Sequence, residues 1–135
     1  MPYKITWYQP DRIVLMQVDG LLTTPEVKSL IVESGTYVAN GTPLVHFLVD
    51  TRALQKIESV PEALKVVQGN PPHPNMGWMI VVGKMNPLVK FFLDFVGLLT
   101  KSRYRRFDSM PESLDFLKEI DGSLATAKNS GTGAR

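Results

Sequence analysis

The stretch YKITWYQPDRIVLMQV, residues 3 to 18, decides how the fold begins. Two segments rich in aromatic, aliphatic and β-branched side chains flank the turn sequence QPDR. In that turn Pro10 occupies the second position, where its fixed φ is favourable, and Asp11 follows it. Apolar segments on both sides of such a turn predict two antiparallel strands joined as a hairpin.

Beyond the hairpin, apolar runs of strand length alternate with segments of helical spacing. Strands are predicted at 44–50, 78–83 and 103–107. Helices are predicted over a segment that ends near 40–41 and over 61–68, 87–100 and 111–120. The order ββαβαβαβα predicts an α/β protein with a five-stranded mixed sheet, right-handed crossovers and helices mainly on one face. The expected core positions are Ile13, Leu15, Leu30, Val45, Phe47, Val49, Leu64, Ile80, Val82, Leu114 and Leu117.

Three of the predicted helices begin with one pattern, a Ser or Thr followed two residues later by Pro and three residues later by Glu. The pattern starts at Thr23, Ser59 and Ser109. A hydroxyl at the N-cap accepts a hydrogen bond from a first-turn N–H, and the Glu reaches back to the N–H of the cap residue. We interpret each stretch as a capping box, and we expect Asn86 to cap the helix that starts at Pro87.

Composition predicts one globular domain over residues 1–121. The chain has 135 residues, 44% apolar content, no cysteine and no apolar run long enough to span a bilayer. Residues 122–135 are small, polar and aperiodic, so a disordered tail is expected there. Since Lys128 and Arg135 lie in that tail, the remaining Lys and Arg balance the 13 Asp and Glu, which argues against general nucleic-acid binding. The start lacks the features of a secretory signal, so a cytoplasmic location is expected.

The sequence contains no motif of a known active site. His46 in an apolar strand and His73 in the loop NPPHPN do not form a metal-ligand spacing, and there is no phosphate-binding Gly-rich loop or nucleophile elbow. We interpret His46 as a hydrogen-bonded interior residue rather than a general base. We therefore expect no metal, no cofactor and no enzymatic activity.

Three phrases resemble small stand-alone bacterial proteins of the STAS-like, or SpoIIAA-like, superfamily. They are PYKITWYQPDRIVLMQVDGLLT (2–23), GWMIVVGKMNPLVKFF (77–92) and RYRRFDSMPESLDFLKEID (103–121). The superfamily includes anti-sigma-factor antagonists and the regulatory domains of sulfate transporters. The resemblance spans residues 3–121 and implies a non-enzymatic regulatory or protein-interaction domain.

The resemblance also implies a possible phosphorylation site. In the anti-sigma-factor antagonists a strand ending in Asp leads to a helix start whose serine is phosphorylated by a partner kinase. In LVDTRALQKIESVPEAL (48–64), Asp50 ends the predicted strand, Val60 stands nearest to that serine, and Ser59 is its neighbour. Ser59 is therefore either a regulatory phosphosite or only the cap of a helix.

The predicted helix 87–100 has an unusually wide apolar surface. Its apolar side chains cover roughly 220° of the helix, about twice what packing on one sheet requires. The surplus, centred on Phe91, Phe92, Phe95 and Leu99, is expected to meet a second subunit, a neighbouring part of the chain, a lipid-like apolar ligand or a membrane surface.

Four basic residues follow this helix and leave two interpretations open. They are Lys101, Arg103, Arg105 and Arg106, which either bind anionic lipid or protect an edge strand from aggregation. Strand alternation separates Arg106 from Arg103 and Arg105.

We expect a protein partner or a homodimer. The alternative function is binding of an apolar ligand or association with a membrane surface through the helix 87–100, for which lipid-carrying domains of the CRAL-TRIO kind are an analogy.

Overall fold

The computed structural model describes residues 3–70, 73–83, 87–100 and 103–122, with the side chains at positions 88, 99 and 100 excluded. Its elements are β1 (Tyr3–Gln9), β2 (Ile13–Leu22), α1 (Thr24–Asn40), β3 (Val45–Ile57), α2 (Val60–Gln68), β4 (Met76–Val82), α3 (Pro87–Thr100), β5 (Arg103–Phe107) and α4 (Met110–Ile120). This is the predicted order. The expected tail beyond Gly122 lies outside the described residues.

The hairpin turn has the geometry that its sequence predicts. The Arg12 N–H donates to the Gln9 carbonyl oxygen at 3.0 Å, which closes a four-residue turn around Pro10 and Asp11. Asp11 has a φ of 68°, a left-handed conformation that Asp adopts more readily than most residues with a Cβ. The turn therefore reverses the chain where β1 and β2 pair in antiparallel register.

All five strands form one sheet in the order β1-β2-β3-β4-β5, and every neighbouring pair except β1 and β2 is parallel. Helices α1, α2 and α3 bury Val27, Ala63 and Val89 on one face of the sheet. Helix α4 buries Leu117 on the opposite face. The predicted α/β class, with a mixed sheet and helices mainly on one face, is confirmed.

Strand alternation divides the core into two clusters. Phe47 and Val49 of β3 face the three-helix side, whereas Leu48 between them faces α4. Most predicted core positions are buried, namely Ile13, Leu30, Val45, Phe47, Val49, Ile80, Val82 and Leu117. Leu15, Leu64 and Leu114 are half-buried against the same clusters.

Strand β3 is longer than the predicted strand 44–50. It continues to Ile57 because β2 runs on to Leu22 and pairs with it there. Leu54 and Ile57 pack into the three-helix cluster, while the exposed residues around them obscure the strand pattern in the sequence. The prediction that the strand ends at Asp50 is therefore wrong.

The predicted N-caps form, but only one is a complete capping box. The Thr23 hydroxyl accepts from the Glu26 N–H at 3.4 Å, and the Glu26 carboxylate accepts from the Thr23 N–H at 2.8 Å. Ser59 and Ser109 accept from the N–H three residues later at 3.3 and 3.4 Å, but their own N–H groups do not donate to the glutamate carboxylates. The predicted boxes at these two serines are therefore half complete. Asn86 lies outside the described residues.

Candidate functional site

His46 belongs to a buried polar cluster on the α4 face of the sheet. Only 1% of its surface is exposed, and its Nε2 lies 2.9 Å from Asp121 Oδ2. The same oxygen accepts from Arg12 Nη2 at 2.6 Å, and the Trp78 N–H donates to His46 Nδ1 at 3.0 Å. Because Nδ1 accepts a hydrogen bond, the neutral ring carries its proton on Nε2 and donates it to Asp121.

This geometry makes His46 a structural residue. Burial, opposed in part by the hydrogen bond to Asp121, lowers the pKa of His46, so the neutral ring is favoured. The ring fits against β4 because position 77 is glycine, where a Cβ would collide with the imidazole. Both ring nitrogens are occupied by the protein itself. The interpretation of His46 as an interior hydrogen-bonded residue is confirmed.

Ser59 lies half-exposed at the start of α2. Its hydroxyl accepts from the Glu62 N–H at 3.3 Å. Val60, which the sequence resemblance places nearest to the antagonists' phosphorylated serine, is buried. The Glu58 carboxylate accepts from the Thr24 N–H at 3.0 Å, so it is held at the start of α1 beside Ser59. Ser59 thus combines a capping role with acidic neighbours, and its phosphorylation stays a hypothesis.

A cavity of about 200 Å³ lies between the sheet and the three helices on its other face. Val18, Phe47 and Met79 of β2, β3 and β4 form its floor, and Leu30 of α1 and Phe92 of α3 line its walls. Helix α1 lies over β1 and β2, and α3 lies over β5. The nine-residue α2 contacts both helices and covers the sheet between them. Because α2 is short, the space between α1 and α3 is not filled.

The lining of the cavity is almost entirely apolar. Among the described residues, no Lys, Arg, Asp or Glu lines it. Its polar lining residues are Ser34, Thr51, Asn70 and His73. Thr51 is buried, whereas the other three keep some solvent exposure. We call the part of the lining formed by Ser34, Asn70 and His73 the open end of the cavity, because these polar residues keep some solvent exposure.

Helix α3 divides its phenylalanines between the inside and the outside of the protein. Phe92 is buried and lines the cavity. Phe91 is 50% exposed and Leu98 72% exposed, with the half-buried Phe95 ring 5.6 Å from that of Phe91. We call Phe91, Phe95 and Leu98 the α3 stripe, since their i, i+4, i+7 spacing places them on one helix face. The side chain of Leu99 lies outside the described residues.

The basic residues of β5 are divided between the two faces of the sheet. The Arg105 guanidinium lies 5.0 Å from the ring centroid of Phe116 on the α4 face. Arg106 points to the other face and forms an ion pair of 3.0 Å with Asp108. The predicted separation of these charges is confirmed. Lys101 lies outside the described residues.

Two negative findings concern only the part of the chain that the structure describes. There, no three His, Asp or Glu residues are grouped so as to hold a metal ion. No helix in these ranges is long and apolar enough to cross a bilayer.

The sequence did not indicate which residues line the open end of the cavity. His73 was a candidate only as a metal ligand, and no role was predicted for Asn70 or Gly35. The available signal was Gly35, since a glycine inside a helical segment is unfavourable unless packing or function requires it.

Comparison with solved structures identifies the fold. An uncharacterised protein of the DUF3478 family from Shewanella loihica PV-4, with a SpoIIAA-like fold, matches with a TM-score of 0.60 and 18% identity over 85% of this chain and 91% of that chain. The anti-sigma factor antagonist SpoIIAA in its unphosphorylated form matches with a TM-score of 0.57 and 12% identity over 86% and 97%. The Bacillus cell fate determinant SpoIIAA in its phosphorylated form matches with a TM-score of 0.52 and 13% identity over 85% and 98%.

The sequence matches no family model and no curated protein. The structural matches extend over most of the chain and agree with the observed order of strands and helices. Since their identities are low, they establish the architecture alone. The chain has the SpoIIAA-like fold.

Proposed function

We propose that this protein is a non-enzymatic binding domain that holds a small apolar molecule in the cavity beneath α1, α2 and α3. The observation that carries the proposal is an accessible space of about 200 Å³ with an almost wholly apolar lining. An engineered apolar cavity of about 150 Å³ in another protein stays dry and binds benzene, so a space of this size suits one ring or a short alkyl chain. A complete two-chain lipid does not fit.

Gly35 supports the proposal because it keeps the cavity open. At two other positions close approaches explain the glycine, since a Cβ at Gly97 would lie 3.1 Å from Tyr104 and one at Gly77 would collide with His46. A Cβ at Gly35 would meet no atom within 4 Å, although the residue lines the cavity. Glycine inside a helix costs roughly 1 kcal/mol relative to alanine. The chain thus tolerates an unfavourable residue at a position where a side chain as long as leucine would extend into the cavity.

Three methionines, Met16, Met76 and Met79, also support binding of a molecule whose shape varies. Methionine side chains are unbranched and polarizable, so they adjust to an irregular guest at little cost. No charged side chain among the described residues faces the cavity, which accords with binding without catalysis.

Toluene binding tests this proposal. We expect toluene to raise the melting temperature of the wild-type protein in a concentration-dependent manner, because a ligand that binds only the folded state stabilises it. Gly35→Ala should respond in the same way, whereas Gly35→Leu should fold but give no response because its side chain occupies the space. The absence of a shift in the wild type, or an equal shift in the Gly35→Leu protein, would contradict the proposal.

A protein-interaction role is the second candidate, and the α3 stripe is the observation that favours it. Phe91 and Leu98 leave apolar surface exposed beside the ion pair of Lys90 and Asp94, whose charged atoms lie 2.6 Å apart. A two-fold related copy of α3 would cover this surface and bring the charged pairs of both copies to the edges of the interface. Homodimerisation is thus the form of interaction that we propose for it.

A regulatory function would fit the same fold, since one of the matching structures is an anti-sigma factor antagonist. Under that hypothesis Ser59 would be the modified residue, and the protein would act in the bacterial cytoplasm as a single domain of residues 1–121. Mass spectrometry of the protein from its native host would test the modification. A phosphate on Ser59 under some growth condition is the expected result, and its absence under all conditions would end this hypothesis.

A further inference from the structure

The polar residues of the cavity have different capacities for further hydrogen bonds. Thr51 Oγ1 donates to the Val82 carbonyl oxygen at 2.9 Å, and Ser34 Oγ donates to the Ile31 carbonyl oxygen at 2.8 Å. Each hydroxyl has therefore used its single hydrogen. Neither residue can donate a hydrogen bond to a bound molecule without losing its present one.

His73 retains a donor. Its Nδ1 accepts from the Asn75 N–H at 3.0 Å, so the neutral ring carries its proton on Nε2. Within the described part of the chain, Nε2 makes no hydrogen bond. His73, which lines the cavity, therefore retains one N–H that can still donate a hydrogen bond.

Asn70 retains an acceptor. Its Nδ2 donates to the Val66 carbonyl oxygen at 2.7 Å, which fixes the amide orientation. The amide oxygen Oδ1 has no hydrogen-bond partner among the described residues. The open end of the cavity thus combines one donor and one acceptor, both on the segment between α2 and β4.

The lack of charge at this site determines which polar groups it suits. None of the described lining residues is Lys, Arg, Asp or Glu. A carboxylate or ammonium group would lose hydration there without meeting an opposite charge, which is strongly unfavourable. A neutral group that both accepts and donates a hydrogen bond would satisfy His73 and Asn70 together.

We propose that the cavity binds a small neutral alcohol, with its ring or alkyl chain among the apolar side chains and its hydroxyl between His73 and Asn70. The hydroxyl oxygen accepts from His73 Nε2, and the hydroxyl hydrogen is donated to Asn70 Oδ1. This inference rests on the proposed function, since it names the class of molecule that the same cavity takes.

Toluene, benzyl alcohol and benzoate test the inference, because they share one ring and differ in the polar group. Isothermal titration at pH 8 should give a dissociation constant for benzoate at least about tenfold weaker than that for benzyl alcohol, because the carboxylate is not neutralised. His73→Leu should raise the dissociation constant for benzyl alcohol by about fivefold, because one hydrogen bond is lost. The same change should leave the dissociation constant for toluene within about twofold of the wild-type value.

His73→Gln is the matched control, because its amide nitrogen restores a donor near the position of Nε2. It should bind benzyl alcohol more tightly than His73→Leu does. Two results would overturn the inference but not the proposed function. One is equal affinity for benzoate and benzyl alcohol, and the other is an equal loss of affinity for toluene and benzyl alcohol in the His73→Leu protein. Failure of the wild type to bind toluene would overturn both.

Discussion

At the scale of single residues, hydrogen-bond partners decide what each polar side chain can do. His46 and His73 both accept a backbone N–H at Nδ1. The other nitrogen of His46 bonds to Asp121 inside the protein, whereas that of His73, a lining residue of the cavity, has no partner among the described residues. His46 therefore stabilises the attachment of α4, and His73 is the residue that we propose for contact with a ligand.

The pH dependence of stability tests the state of His46. Burial lowers its pKa below the ordinary value of 6.5, so the unfolded chain takes up this proton before the folded chain does. The contribution to stability is complete above pH 6.5 and is lost as the pH falls through the lowered pKa of the folded state. Urea denaturation should show the free energy of unfolding falling between pH 7 and pH 5, with a slope of at most about 1.4 kcal/mol per pH unit from this group.

His46→Gln is the control for that measurement, since it retains hydrogen-bonding groups but does not titrate. Its unfolding free energy should depend less steeply on pH over the same interval. Parallel pH profiles for the two proteins would show that His46 is not the group responsible.

Ser59 permits a separate test of the capping interpretation. Ser59→Ala removes the oxygen that accepts from the Glu62 N–H, so it should lower the free energy of unfolding by about 1 kcal/mol. Ser59→Asp restores an accepting oxygen at the N-cap and should regain part of this loss, although Glu58 and Glu62 are close. A Ser59→Ala protein as stable as the wild type would mean that the cap contributes little.

At the scale of secondary-structure elements, α3 differs from the other helices because both of its sides are apolar. Its inner side packs so closely on β5 that a Cβ at Gly97 would lie only 3.2 Å from the Tyr104 ring. The Tyr104 hydroxyl is buried there, and burial together with the nearby Asp94 carboxylate raises its pKa. The outer side presents the α3 stripe, which the described part of the chain leaves exposed.

Phe91→Glu tests whether the α3 stripe mediates association. Because Phe91 is half-exposed, the change should alter the free energy of unfolding of the monomer by no more than about 0.5 kcal/mol. Analytical ultracentrifugation should show the wild type as a dimer and the variant shifted toward monomer. Val32→Glu is a matched control, since Val32 is an exposed apolar residue on α1, and it should leave association unchanged. A monomeric wild type, or a dimeric Phe91→Glu protein, would exclude this interface.

At the scale of the whole molecule, the cavity follows from how three helices of unequal length cover one face of the sheet. Helices α1 and α3, of 17 and 14 residues, stand over opposite sides, and the nine-residue α2 cannot fill the space between them. On the other face α4 covers a more compact cluster that includes Leu48, Ile80 and Leu117. The apolar cavity thus lies on the three-helix side of the sheet.

Substitutions at Gly35 should show that the cavity is kept at the expense of stability. Gly35→Ala should raise the free energy of unfolding by roughly 0.5–1 kcal/mol through helix propensity alone. Gly35→Leu should be at least as stable as Gly35→Ala, because its side chain extends into free apolar space and buries additional surface. Denaturant titration of the three proteins measures this, and a Gly35→Leu protein less stable than the wild type would mean that the space is smaller than described.

The sequence by itself determined the element order, the hairpin turn at Pro10 and Asp11, the N-caps, most of the core and the interior role of His46. These features depend on periodicity and on contacts between residues close along the chain, which a single sequence records directly. Only the tertiary structure decided that β3 runs on to Ile57 and that Phe92 turns inward while Phe91 turns outward. It also decided that Gly35 and His73 meet at one cavity. Those outcomes depend on which distant segments lie side by side and how much volume they leave between them, and local pattern does not specify either quantity.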